Sequence, residues 1–268
     1  GRFMERGKML TDTHAHLDDE KLRSNLDAVL SRARDRGMGF ILNPGCDYET
    51  SGAAVELSEQ YPEVYAAVGF HPMDADRFDG EPALNQLREW AALPKTLAIG
   101  EIGLDYHYPD NPDRETQHKV FREQLDLAGQ LGLPVIIHDR EAHKDSLDII
   151  REGLNREASG VFHAYSGSVE MARDILDLGM YISIGGPLTF KNARKTPDVI
   201  AYTPLDRILL ETDAPYMAPE PVRGTVNEPS NTWYVAKRMA EIKQIPLEKL
   251  LEATAENAQR LFNVKFMK

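Results

Sequence analysis

Cysteine is almost absent: the 268-residue chain has one, Cys46. That excludes an internal disulfide framework and any zinc module built on cysteines. Long apolar runs are missing too. No segment approaches the roughly 18 consecutive residues of a membrane-spanning helix. Nor is there an excess of positive charge. Lys and Arg number 31 against 43 Asp and Glu, for a net charge of −12. A grip on nucleic acid made chiefly by counterion release is therefore excluded. Any affinity for phosphate must be local, through bound cations or a few Arg and Lys. The start, Gly1-Arg2-Phe3, has no initiator Met, and the residues after it lack the apolar stretch of a signal peptide. We read residues 1–8 as an added or flexible N-terminus, Met9 as the native start, and the cytoplasm as the location.

What is there is enough for a sizeable core. Hydrophobic residues make up 42% of the chain, which excludes global disorder. Short apolar runs rich in Ile and Val read as eight strands: Met9–Thr13, Phe40–Asn43, Val64–Gly69, Leu97–Gly100, Val135–Ile137, Gly160–Phe162, Tyr181–Ile184 and Ile208–Glu211. Amphipathic stretches separate them. Asn25–Arg36 carries apolar residues at 26, 29, 30 and 33, one face of a helix. Glu49–Gln60, Pro82–Ala92, Arg114–Leu131, Ala142–Glu152 and Val169–Leu178 follow, and Thr232–Lys243 and Leu247–Asn257 close the chain. Eight strand–helix units in this length predict an α/β fold, a (β/α)8 TIM barrel, with residues 9–268 a single domain.

A barrel of this kind builds its active site where the strands end, from the loops that follow. Thr13-His14-Ala15-His16 follows the first run and Gly69-Phe70-His71-Pro72 the third. Gly100-Glu101-Ile102-Gly103-Leu104-Asp105 follows the fourth and His138-Asp139-Arg140 the fifth. His163-Ala164-Tyr165-Ser166-Gly167 follows the sixth and Thr212-Asp213-Ala214-Pro215 the eighth. Five of the eight histidines thus lie at or beside strand ends, joined by two carboxylates. Imidazole suits zinc and its neighbours; carboxylate suits magnesium and manganese. His14 and His16 are two apart on an extended segment, so both rings point to one side and can share one ion. Glu101 can bridge two ions, and His138 and His163 can hold the second. Asp213 can bind a metal and orient or deprotonate the attacking water.

Each residue alone has a plainer reading. His138 or His163 can be a satisfied buried histidine, Asp213 a turn or cap residue, and Glu101 the partner of a barrel arginine. His71 is a substrate-binding, supporting or structural residue. His107 reads as an exposed loop residue and His118 as solvated on a charged helix. His143 either caps a helix or faces the site. Arg140, Lys144, Lys191, Arg194 and Arg223 follow the fifth, seventh and eighth strands and are candidates for the substrate, or surface charges.

The ordered set, from Asp12-Thr13-His14-Ala15-His16-Leu17 to Glu211-Thr212-Asp213-Ala214-Pro215, resembles the TatD family of metal-dependent deoxyribonucleases, among the amidohydrolase-like barrels. The resemblance runs from Met9 to Phe262. It implies a TIM barrel, a divalent-metal centre and hydrolysis of DNA phosphodiester bonds, often as an exonuclease. It carries the metal ligands over onto His14, His16, Glu101, His138, His163 and Asp213. Two ions per chain are expected, of Mg, Mn or Zn, with DNA, chiefly single-stranded, as substrate and no membrane partner. The expected catalytic residues are Asp213 and Glu101; the expected substrate contacts are His71, Arg140, Lys191, Arg194 and Arg223. Two departures stand out. Members often read Gly-His-Pro-His after the third strand, and here Met73 takes the last place. Many carry a basic pair where this chain has Thr225-Val226. Both departures bear on the grip on DNA rather than on the metal.

Two other functions fit the same residues. One is an amide, lactone or phosphotriester hydrolase of the wider superfamily. Glu101 counts against it, because many of those relatives hold a carboxylated lysine at the equivalent place. The other is a binding protein on a barrel scaffold with a structural metal, although six ligands for two ions leave open positions.

Overall fold

The computed structural model describes residues 9–153 and 159–267; the predicted N-terminal extension 1–8 lies outside the described residues. The strands are β1 (Leu10–Asp12), β2 (Met38–Pro44), β3 (Val64–Val68), β4 (Thr96–Asp105), β5 (Val135–Arg140), β6 (Gly160–Phe162), β7 (Tyr181–Ile184) and β8 (Ile208–Leu210). They form one sheet in the order β1 to β8. Helices separate the strands, so each connection is a crossover to a parallel neighbour. The order also returns on itself. The Thr13 N–H donates to the Leu210 carbonyl at 2.9 Å, and Ala15 bridges Ala214 in parallel. This is the (β/α)8 barrel fold that the alternation predicted.

Contacts divide the chain into two compact units. In its described part, the first holds 9–43, Ala164–Arg173 and 182–267. Its strands are β1, β2 up to Asn43, β7 from Ile182, and β8. Phe40 on β2 stacks on Phe262, which ends the helix Leu247–Phe262, with ring centroids 5.8 Å apart. Leu10, Leu42, Ile182, Leu209 and Met239 are buried in the same unit.

In its described part, the second unit holds 44–153, 159–163 and 174–181, with β3 to β6 intact. Its central helix is Arg114–Leu131. Asp113 caps the start by accepting the Thr116 N–H at 2.7 Å, and Gly132 ends it at φ 66°, where a side chain would be strained. Two buried glutamines on this helix hold the strand ends. Gln124 accepts the Phe70 N–H and donates to the Phe70 carbonyl, and Gln117 does the same for Asp105. Seven residues apart, they lie on one helix face two turns from each other. The loop after β3 and the end of β4 are thereby fixed by amide pairs that otherwise serve a ladder.

The sequence reading placed β6 and β7 with these same ends, and the helices Arg114–Leu131 and Thr232–Lys243 likewise. It stopped β4 and β5 too early. β4 continues through Asp105 and β5 through Arg140, paired at Gly103↔His138, Leu104↔Asp139 and Asp105↔Arg140. Glu101 and His138 are therefore inside strands, not after them: polar functional residues ended the apolar runs while the ladder went on. The helix Lys195–Tyr202 was not expected. Its Pro197 lies in the first turn, where the missing N–H would have had no helical partner anyway. No helix among the described residues is long and apolar enough to cross a membrane.

Candidate metal centre

In the second unit the side chains converge on Glu101. Glu101, Gly103 and Asp105 alternate onto one face of β4. The Glu101 Oε1 atom lies 2.8 Å from His163 Nε2, 3.2 Å from His138 Nδ1 and 3.5 Å from His71 Nε2. Its Oε2 lies 3.9 Å from Cys46 Sγ. Gly103 lets the backbones meet here: a Cβ on it would fall 1.9 Å from the His138 carbonyl oxygen, and its φ is 144°.

His138 stands between two carboxylates, with Nε2 at 2.9 Å from Asp105 Oδ2 and Nδ1 facing Glu101. A neutral imidazole has one N–H and can serve only one of them. The other contact sets a nitrogen lone pair against an oxygen. Either the ring takes a second proton or a cation stands between Nδ1 and Glu101. The first course shows in its basicity without metal. Burial opposes the charge, but the Asp105 and Glu101 bonds outweigh that and hold His138 above the ordinary imidazole value. Asp105 is held below the ordinary carboxylate value. Burial pushes it up, and the bonds from His138 and the His107 N–H more than offset this. A carboxylate gripping the far nitrogen of an imidazole is how proteins fix a metal-ligating histidine. This donor set therefore fits a divalent cation.

His71 is placed differently. Its Nδ1 accepts the Met73 N–H at 3.0 Å, so a neutral ring carries its proton on Nε2. Burial, then the charge of His138, holds its pKa below the ordinary value and keeps it neutral. His71 thus presents an N–H to Glu101 rather than a lone pair to a metal. Of its open readings, this geometry fits support of Glu101.

In the first unit the strand ends do the same work with fewer groups. The Asp213 N–H donates to the His14 carbonyl and the His16 N–H to the Ala214 carbonyl. This register brings His14 Nε2 to 3.6 Å and His16 Nε2 to 3.3 Å from Asp213 Oδ1. Asp213 has φ 58°, a left-handed conformation that Asp tolerates better than most residues. Beneath it Asp12 is fully buried. It accepts the N–H groups of His14 and Thr212 and the Thr212 hydroxyl. Burial nonetheless pushes its pKa up to about 8.

The expected substrate cations are all exposed. The Arg140 guanidinium bonds Tyr108 Oη at 3.1 Å and lies 5.2 Å from that ring. Arg223 lies 3.6 Å over Phe190. Arg194 donates to the carbonyls of Lys191 and Ala193, and Lys191 is exposed. His107 is exposed in its loop as expected, 3.1 Å from Glu141. His143 pairs with Asp139 at 2.5 Å. His118 is not simply solvated. Its Nε2 meets Tyr106 Oη, which also donates to Asp145 at 2.6 Å. The sequence reading gave no role to Asp105, Asp12 or these partners of His118. For Asp105 a signal existed: it lies four residues beyond Glu101 in a strand, hence on the same face.

A (β/α)8 barrel with imidazoles gathered on carboxylates at its strands' carboxyl ends belongs to the metal-dependent hydrolases. The chain is a member of the TatD related DNase family, whose pattern matches residues 11–263. It is 43% identical over 256 residues to the Uncharacterized metal-dependent hydrolase YabD of Bacillus subtilis, covering 96% of this chain and all of that one. The crystal structure of the TatD homolog YjjV from Escherichia coli superposes with a TM-score of 0.89 at 36% identity, over 96% of this chain and 99% of that one. A PTE-like lactonase from Deinococcus radiodurans shares the fold at 15% identity, with a TM-score of 0.62 over 94% of this chain and 95% of that one.

Proposed function

We propose that the chain is a divalent-metal-dependent deoxyribonuclease that shortens single-stranded DNA from an end, in the cytoplasm, with residues 9–268 acting as one barrel. The observation that carries the metal is His138, which Asp105 grips at Nε2 while Nδ1 faces Glu101, an arrangement suited to a cation between the two. Membership of a DNase family supports the phosphodiester as the bond. The donor set is His14, His16, Glu101, His138, His163 and Asp213, mixed imidazole and carboxylate, which suits two ions of Mg, Mn or Zn. Such ions lower the pKa of water and neutralise charge on phosphoryl oxygens.

The chain's own groups do the rest. Glu101 is held by His71 from one side, so its carboxylate cannot turn away. Asp105 keeps the His138 ring in one orientation. Asp213, the more exposed of the two carboxylates, accepts the proton of the attacking water. Arg140, Arg223, Lys191 and Arg194 meet backbone phosphates. Each phosphate neutralised on a single strand adds roughly 0.7 to the slope of log affinity against log salt, so these four cations give a slope of about three at most.

The test is end-labelled single-stranded DNA incubated with Mg²⁺, Mn²⁺ or Zn²⁺ and with chelator. Stepwise shortening from one end, abolished by chelator, is the expected result. Hydrolysis of a lactone or phosphotriester with DNA left intact would overturn the proposal in favour of the wider superfamily's chemistry.

A further inference from the structure

Eight large hydrophobic side chains are exposed among the described residues, and three of them, Tyr216, Met217 and Val226, fall in the segment after β8. This segment is not loose. Buried Asn227 donates through Nδ2 to the Thr212 carbonyl at 3.0 Å and to the Tyr216 carbonyl at 2.8 Å, and its N–H donates to the Pro215 carbonyl. The Tyr216 N–H bonds the Asp213 carbonyl at 2.9 Å. The Tyr216 backbone is therefore held in place, while the residue is 51% exposed and its hydroxyl reaches Asp19 Oδ2 only at 3.5 Å. Its centroid lies 6.3 Å from that of His16, the planes crossing at 64°.

An exposed aromatic on a fixed backbone beside a candidate ligand histidine makes little sense as core, and folding gains nothing from leaving it in water. It does suit a base. Every nucleobase has a π-face, and stacking on an aromatic side chain needs no particular sequence. The same segment carries Thr225 and Val226. Val226 is 49% exposed, so this segment offers apolar surface to solvent. With a net charge of −12, the protein gains from a grip that does not depend on charge.

We propose that Tyr216, on the same segment as exposed Met217 and Val226, is a platform on which one unpaired nucleobase of the substrate stacks. The inference rests on the reading of the chain as a nuclease and supplies its preference for single strands. A base inside a duplex is already stacked on both faces and cannot use the ring. A base at a frayed end or in a single strand can. Tyr216 would then be a binding residue that sets substrate class, and affinity would come from bases more than from phosphates.

The test compares two single strands by fluorescence anisotropy with the metal-loaded full chain. Both carry phosphorothioate linkages, which resist hydrolysis; one bears bases throughout and the other is abasic at its terminal nucleotides. Wild type should prefer the base-bearing strand by about tenfold, the scale of one stacking contact. That preference should change little with salt. Tyr216→Ala should bring it to about one, and Tyr216→Phe should keep it. Equal affinity for both strands in wild type, or an undiminished preference in Tyr216→Ala, overturns the platform. So does self-association of the protein that Tyr216→Ala abolishes in the absence of any base preference. Cleavage of DNA without base preference removes the platform and leaves the nuclease. Base preference without cleavage under any metal does the reverse.

Discussion

Glu101 lies inside β4 with its side chain 4% exposed, and three imidazoles and a thiol crowd its two oxygens. Asp213 lies beyond β8, its side chain 21% exposed, with two imidazoles at one oxygen. The two carboxylates share a chemistry but not a setting. A carboxylate buried this deeply keeps its charge only if cations or donors surround it. Its oxygens are committed, so its use is to hold. A carboxylate at the end of a strand, on a turn with positive φ, keeps contact with water and can exchange a proton. The difference in depth fits the two proposed roles: Glu101 to anchor the metal, and Asp213 to serve the water.

The largest effect expected is at the buried member. Glu101→Ala leaves His71, His138 and His163 without the oxygen they share. Metal analysis of the purified variant should show at least one ion lost per chain, with most turnover gone and the far-ultraviolet circular dichroism unchanged. Full activity with unchanged metal would break the distinction at its stronger side.

A smaller effect is expected one layer out. Asp105→Asn keeps the shape but can no longer fix the His138 tautomer by charge. Loss of such an outer partner costs on the order of 10–100-fold in metal affinity or activity. A chelator-competition titration reads this directly. An unchanged affinity would mean that β4 and β5 alone orient the ring.

The smallest effect lies behind the cluster, on the loop that leaves β4. Tyr106 donates to Asp145, and that bond, with minor opposition from burial, holds the Asp145 pKa below its ordinary 3.8. A carboxyl with a depressed pKa in the folded state contributes stability above the ordinary value and loses it as pH falls through the folded value. Tyr106→Phe should therefore lower stability near neutrality by at most about 1 kcal/mol, because Asp145 is partly exposed. The gap to wild type in urea midpoints should close in strong acid. A gap that stays constant with pH would assign the loss to packing.

Much of this was legible in the sequence because a barrel writes its site at regular places. His14, His16, His138, His163 and Asp213 could be named from where the apolar runs stop. What stayed hidden follows from the same rule. Taking a strand to end at its last apolar residue cut β4 before Glu101 and β5 before His138, and so concealed that Asp105 faces His138 across paired strands. The helix Lys195–Tyr202 was masked by a proline that its first turn accommodates. The tautomer of His71 depends on a backbone N–H two residues on, which no residue pattern announces. The clamps made by Gln117 and Gln124 are likewise visible only once the helix is seen against the strand ends.

The division between anchor and proton acceptor is tested most directly by one protein, Asp213→Asn. Asn matches Asp in shape but cannot accept the proton. Metal content per chain and kcat on single-stranded DNA should be measured on the same preparation. The account predicts a kcat lower by on the order of 10²-fold or more, as loss of a general base brings, and a fall larger than any loss of metal accounts for. A fall in rate matched by a proportional loss of metal, or a kcat within a few-fold of wild type, would contradict it.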